Sequence, residues 1–300
     1  DPKVFWNEDT QLWNLILAAG QQMSIYSSKN LKDWTFESHF GEGYGNHNGV
    51  WECPDLIKMG NKWVLLCNIN PGGPYGGSAT QYFVGHFDGH KFTCESAPTV
   101  TKWLDYGKDQ YATVTFNNAP NGRIVAIPWM SNWQYGNQVP TLQFRSANGL
   151  PREIGLFSYQ GESYISVKPS PEVFAAFSNK TSTKLQPASY IEVTNIKGNA
   201  SITLKNNQNE EVVMVYDAKK GTFSMDRNQS GVSEFSSEFK AVTTSPTYGA
   251  ISGLQIFVDK SSVEVFDVDG KMAMTNIVFP TSPYTDVVAK GCKVKIHALK

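Results

Sequence analysis

The chain has 300 residues, enough for one large or two ordinary domains with substantial cores. Lys plus Arg number 26 against 27 for Asp plus Glu, a net charge of −1, which leaves no electrostatic footprint for nucleic acid or an anionic membrane surface. No apolar run approaches the roughly 18 residues that a membrane-spanning helix needs, and Cys53, Cys67, Cys94 and Cys292 show neither metal-like nor redox-like spacing.

From the N-terminus to about residue 165 the pattern is short β runs divided by turn residues, with no convincing helical stretch. A run led by Trp13 is followed by runs at 23–27 and 31–36, and a run led by Trp63 by runs at 82–87 and 88–92. Trp13 and Trp63 lie 50 positions apart, close to the period of a four-stranded propeller blade. A weaker third echo occupies 112–116 and 123–127, with a hairpin turn at 118–122 between its strands. Four glycines in residues 41–49 mark a loop that feeds a site. Between Gly155 and Ala188 the alternation loosens, with Pro169, Pro171, Pro187 and a Ser/Thr/Lys cluster at 178–184, which reads as a crossing between domains. Longer alternating strands follow, including a pair split by a turn at 259–262, and their rate of turning predicts a β-sandwich. The expectation is an all-β chain: propeller blades over residues 1–170, then a sandwich over 171–300.

One carboxylate stands out. Glu52 lies in Trp51-Glu52-Cys53-Pro54-Asp55-Leu56, where the Pro54 ring fixes its own φ and restricts Cys53 before it. A carboxyl set beside an indole and a thiol would be desolvated and suited to general-acid work. A strand-edge glutamate facing water is the ordinary alternative. A second acid, Asp1 in Asp1-Pro2-Lys3-Val4-Phe5-Trp6, argues for a site.

These residues carry a family resemblance. Asp1 to Phe5 resembles the Arg-Asp-Pro-Lys-Val box of glycoside hydrolase family 32, the β-fructosidases, and residues 51–56 resemble its Glu-Cys-Pro box. Residues 105–112, 129–133 and 257–266 match further stretches in the family's order. The resemblance implies a partial five-bladed propeller, with about three blades in this chain and about two upstream, followed by a β-sandwich. It implies that Glu52 is the catalytic acid/base and Asp1 the third acid, which holds ring hydroxyls of a fructosyl unit and stabilises the transition state. The family's nucleophilic aspartate belongs to a Trp-Met-Asn-Asp-Pro-Asn-Gly box that nothing here matches. The chain therefore reads as the C-terminal portion of a longer retaining enzyme, with a complementary N-terminal segment or chain as its expected partner. Trp133 is the expected apolar wall of the sugar pocket. Trp51 and Asn132 are weaker candidates for substrate contact and could equally be core residues. Cys53 either sets the surroundings of Glu52 or simply packs.

Asp105 and Asp109 are expected to be structural, and His47, His86, His90 and His297 to be surface or turn residues. The resemblance implies no metal and no cofactor, a fructan (inulin or levan) or sucrose as substrate, and an extracellular or periplasmic location. Two other readings stand beside it: another five-bladed-propeller furanosidase of the arabinanase type, and a non-catalytic carbohydrate-binding protein on the same scaffold.

Overall fold

The computed structural model describes residues 1–300. Three antiparallel meanders come first. The first is β1 (Pro2–Asn7), β2 (Leu12–Ala18), β3 (Met23–Ser28) and β4 (Thr35–Phe40), paired in chain order. The second is β5 (Val50–Met59), β6 (Lys62–Asn70), β7 (Ala79–Phe87) and β8 (Phe92–Cys94), with the two-residue β9 (Lys102–Trp103) also on β7. The third holds β10 (Tyr111–Thr115) and β11 (Val125–Met130), with the short β12 (Ala147–Asn148) beside β11. It is completed by β13 (Arg152–Tyr159) and β14 (Glu162–Pro169).

The 50-residue rhyme thus corresponds to two successive sheets, each built on a four-strand meander, but the closing strands start later than expected. After β3, the Ser28 hydroxyl accepts from the backbone N–H of Asn30 and Leu31, and Asn30 Oδ1 from those of Lys32 and Asp33. Side chains that satisfy the backbone in this way hold a turn against a strand, so β4 begins at Thr35. Asp88 does the same for His90 and Lys91 before β8. Residues 118–122 are a turn, as read, with Asn118, Asn121 and Gly122 all at positive φ.

The loosened stretch from Gly155 is not a crossing over most of its length. β13 and β14 form a full hairpin closed by Gln160 and Gly161 at φ 51° and 84°, an arrangement that matches the right-handed strand twist. The passage to the second half is short: Ser170 and the one-turn helix α1 (Pro171–Ala175).

Two further sheets follow, built from β15 (Phe177–Ser182), β16 (Ser189–Thr194), β17 (Ala200–Lys205), β18 (Glu211–Asp217), β19 (Thr222–Asp226), β20 (Val242–Pro246), β21 (Leu254–Asp259), β22 (Ser262–Asp267), β23 (Ala273–Ile277), β24 (Asp286–Lys290) and β25 (Lys293–Leu299). One sheet runs β15-β25-β16-β21-β22-β23 and the other β20-β19-β18-β17-β24. The polar cluster at 178–184 is mostly β15, an edge strand, where polar composition discourages pairing with other chains. Alternate residues of both sheets, such as Ile191, Ile202, Met214, Phe223 and Ile256, meet in one apolar core. A second core joins the two halves, with Val64, Tyr82 and Ile165 packing in the same cluster as Phe257, Phe266 and Ala273.

Candidate functional site

The site begins with two irregular strands. In β5 the register against β6 runs Glu52↔Asn68 and then Asp55↔Leu66, so β5 carries one extra residue. Cys53 absorbs it at φ 42°, a left-handed conformation that costs a non-glycine residue roughly 1 kcal/mol. In β10 the pairs Tyr111↔Trp129 and Val114↔Ile127 show the same excess, with Ala112 at φ 49°. Such bulges re-aim side chains.

The two bulges are tied together by Asn68, which has no exposed surface. Its amide donates to the Cys53 carbonyl (2.9 Å) and the Thr113 carbonyl (3.2 Å), while its Oδ1 accepts from the Thr113 N–H (3.0 Å) and the Thr80 hydroxyl (2.6 Å). All four hydrogen-bonding positions of the side chain are filled.

The Cys53 N–H donates to Asp1 Oδ2 at 3.2 Å, and the thiol lies 3.7 Å from the same oxygen. Asp1 thus reaches the backbone N–H of the residue that follows Glu52, across 52 positions of chain. Burial first, and then the Glu52 carboxylate, raise the Cys53 thiol above its usual range, so it stays protonated. On the other side the Tyr111 hydroxyl donates to Glu52 Oε2. Burial and the neighbouring carboxylate push that phenol far above its usual range, so it remains a donor. Beneath these groups Asp55 Oδ2 accepts from Thr115 N (2.8 Å) and Thr115 Oγ1 (2.7 Å) and lies 3.3 Å from Lys3 Nζ, pinning β5, β10 and β1 together.

Tyr111 forms part of a cleft of about 350 Å³ together with Trp129, Trp133, Asn137, Arg145 and Ser146. Trp133 is 51% exposed and packs against Trp129 with ring centroids 4.9 Å apart. An exposed indole face beside polar groups suits the apolar face of a sugar ring.

Two of the expected contacts fall elsewhere. Trp51 is 1% exposed. Its Nε1 donates to the Asn46 carbonyl (2.9 Å) and its ring stacks on His47 (4.8 Å) and packs near Phe83. Successive residues of a strand point to opposite faces, so Trp51 belongs to the core behind β5, and the ring beside Glu52 is Tyr111. Asn132 has no exposed surface. Its amide donates to the carbonyl of Lys108, and its Oδ1 accepts from the N–H of Gln134 and of Ser78, which clamps the loop that presents Trp133. No local signal marks Asn68 or Arg145, whereas Tyr111 lies in the 105–112 stretch and Trp129 opens the 129–133 stretch.

Asp105 and Asp109 fix the segment leading into Tyr111 from the second half of the chain. Asp105 accepts from the backbone and hydroxyl of Thr275 and pairs with Arg152 at 2.9 Å; Arg152 also reaches Glu264 at 2.6 Å. Asp109 accepts from Tyr135 and Ile277 and pairs with Arg227, which in turn donates to Tyr135 and the Phe239 carbonyl. Both arginines are at most 1% exposed. Of the histidines, His90 pairs with Glu37, His297 meets the Ser178 carbonyl, and His86 is exposed.

Comparison with known proteins gives consistent findings. A profile described as glycosyl hydrolases family 32 N-terminal domain matches residues 1–169, and one described as glycosyl hydrolases family 32 C terminal matches residues 158–300. A levanase of Bacillus subtilis is 38% identical over 100% of this chain and 50% of its own length. An extracellular exo-inulinase of Aspergillus awamori is 37% identical over 94% of the chain and 60% of its own length. The chain thus spans about half to three-fifths of these relatives. The crystal structure of exo-inulinase from Aspergillus awamori superposes with a TM-score of 0.91 at 32% identity, covering 100% of this chain and 67% of that one. Fructofuranosidase from Schwanniomyces occidentalis complexed with fructose gives a TM-score of 0.83 at 27% identity, covering 100% of this chain and 70% of that one.

Proposed function

The chain belongs to glycosyl hydrolase family 32, and on that premise we propose that it carries the acid/base side of a retaining β-fructosidase. The enzyme would release terminal β-D-fructofuranosyl residues from inulin, levan or sucrose outside the cell or in the periplasm. The three meanders are the last three blades of a five-bladed propeller, and residues 171–300 are the sandwich. Trp6, Trp13 and Phe116 line an open cavity of about 430 Å³ beside Lys3 and Asp55. This is apolar surface that further blades would bury.

What supports the proposal is that Asp1 bonds the N–H of Cys53, the residue after Glu52, and that Glu52 takes the hydroxyl of Tyr111, which lines the Trp133 cleft. Fructofuranoside cleavage passes through an oxocarbenium-like transition state, which needs a proton donor on the leaving oxygen and negative charge near the anomeric carbon. Glu52 donates that proton and then, as its conjugate base, activates the water that hydrolyses the fructosyl-enzyme. Asp1 supplies fixed negative charge in both steps and holds ring hydroxyls. Trp133 packs the sugar's apolar face. The nucleophilic carboxylate comes from residues upstream of these 300.

The full-length polypeptide, incubated with inulin, levan and sucrose and followed by NMR in the first minutes, should release fructose from at least one, with the β-furanose anomer appearing first. No fructose from any of the three would refute the activity, and the α anomer appearing first would refute retention.

A further inference from the structure

Resting on the β-fructosidase reading, we propose that Glu238, from the second half of the chain, is a positioning residue for the sugar wall. Its carboxylate holds Gln134, and through Gln134 the loop that presents Trp133.

A ring that is 51% exposed has few neighbours to orient it, so the backbone that carries it must do so. The Trp133 N–H donates to the Ser78 hydroxyl at 3.1 Å. Around it runs a closed cycle of hydrogen bonds. Asn132 Nδ2 donates to the Lys108 carbonyl (2.9 Å), Lys108 Nζ to the Glu238 carbonyl (2.6 Å), and Gln134 Nε2 to Glu238 Oε2 (3.0 Å). The Gln134 N–H, donating to Asn132 Oδ1 at 3.0 Å, closes the circuit. Trp133 is the residue between its two ends. Glu238 takes part twice, once by its main chain and once by its side chain.

Each member of the cycle is braced. Asn132 has no exposed surface and Lys108 only 5%. A buried ammonium is costly without an acceptor, and the Glu238 carbonyl supplies it. Glu238 lies between β19 and β20 next to Phe239, which is fully buried and packs edge-on against Tyr135 with ring centroids 5.5 Å apart. A Cβ on Gly76 would come within 2.7 Å of Gln134 Nε2, and one on Gly77 within 2.7 Å of its Cγ. Both glycines have positive φ, 79° and 68°, so the 72–77 loop can lie against Gln134 only with glycine at these places. The Gln134 side chain is thus confined between this loop and Glu238. Glu238 itself is exposed, and a surface bond of this kind adds little to global stability. Its effect is local, on the residue that follows Trp133. Recognition through a ring face needs placement to within about 0.5 Å and 10–20°, and the cycle supplies that constraint.

The test is Glu238→Ala in the full-length polypeptide, which leaves the Lys108 contact in place because that contact uses the main chain. KM for inulin or sucrose should rise about three- to tenfold with kcat changed by less than about twofold, the pattern of binding lost equally from ground and transition states. The melting temperature should stay within about two degrees of the parent's. Glu238→Gln keeps an acceptor for Gln134 and should restore KM to within about twofold of the parent's. Glu234→Ala, which breaks a pair with Lys240 in the same segment, should leave both constants unchanged. In a Trp133→Ala background, Glu238→Ala should add no further loss, because the ring it positions is gone. An unmoved KM in Glu238→Ala, or the same fold loss with and without Trp133, overturns the proposal. Should Glu238→Ala fail to fold, Gln134→Ala removes the same bond from its other end and is held to the same two outcomes. Absence of fructose release by the unsubstituted polypeptide would instead remove the β-fructosidase reading, and this inference with it.

Discussion

Glu264 and Asp105 are two buried acids that share one guanidinium, that of Arg152. Arg152 and Asp105 have fully buried side chains and that of Glu264 is 4% exposed, so the cluster carries one negative charge more than its cation offsets. Burial is the largest effect on Glu264 and raises its carboxyl from 4.5 to about 7, against the opposing pull of Arg152 and the Leu150 N–H and with the help of Asp105. The sign follows. Between pH 4.5 and 7 the folded protein holds a proton at Glu264 that the unfolded chain has released, so stability falls as pH rises through that window and levels off above it. At 1.36 kcal/mol per unit, the change from pH 5 to pH 8 amounts to about 2 to 3 kcal/mol from this one group. Denaturant melts of the full-length polypeptide at pH 5, 6, 7 and 8 measure it against Glu264→Gln, which cannot titrate. The difference in unfolding free energy between the two proteins should itself change by about 2 kcal/mol or more across the series. A difference that stays constant with pH would refute the reasoning.

Two substitutions separate the tryptophans. Trp133→Ala removes a half-exposed ring from the cleft and should lower kcat/KM by at least tenfold with a melting temperature within a few degrees of the parent. Trp51→Ala empties a packed site and should cost about 3–5 kcal/mol in a denaturant melt. Asn68→Ala takes the Asn68 partner from the Cys53 carbonyl and from both backbone groups of Thr113 and should cost on the order of 3 kcal/mol, together with most of the fructose release measured on the same preparation.

Much of the strand pattern could be read from the residues, because Trp13 and Trp63 open equivalent hydrophobic runs and residues 259–262 carry a turn signal that became the β21–β22 hairpin. The β13–β14 hairpin is hard to read from sequence because only Ser163, Ile165 and Val167 of β14 alternate inward before Pro169, and Pro169 and Pro171 resemble the start of a crossing. Around Glu52 and Asp1, the neighbours in space are not legible in the sequence. Trp51 is next to Glu52 in sequence and behind it in space, a consequence of strand alternation. The bulges are held by Cys53 and Ala112, residues that give no sign of positive φ, whereas glycines would have done. Asn68, Arg152 and Arg227 act through partners 12 to 123 positions away, and no local pattern announces such pairs.

Kinetics of Glu52→Ala and Asp1→Ala in the full-length polypeptide distinguish a proton-transferring Glu52 from a fixed charge at Asp1. Glu52→Ala should lower kcat on sucrose or inulin by about 10²–10⁴-fold with a much smaller change in KM. A fructoside with a good leaving group should restore its first step, and added azide its second. Asp1→Ala loses charge needed in both steps, so neither change of conditions should restore it. Near-normal turnover of Glu52→Ala on an unactivated fructoside would contradict the account.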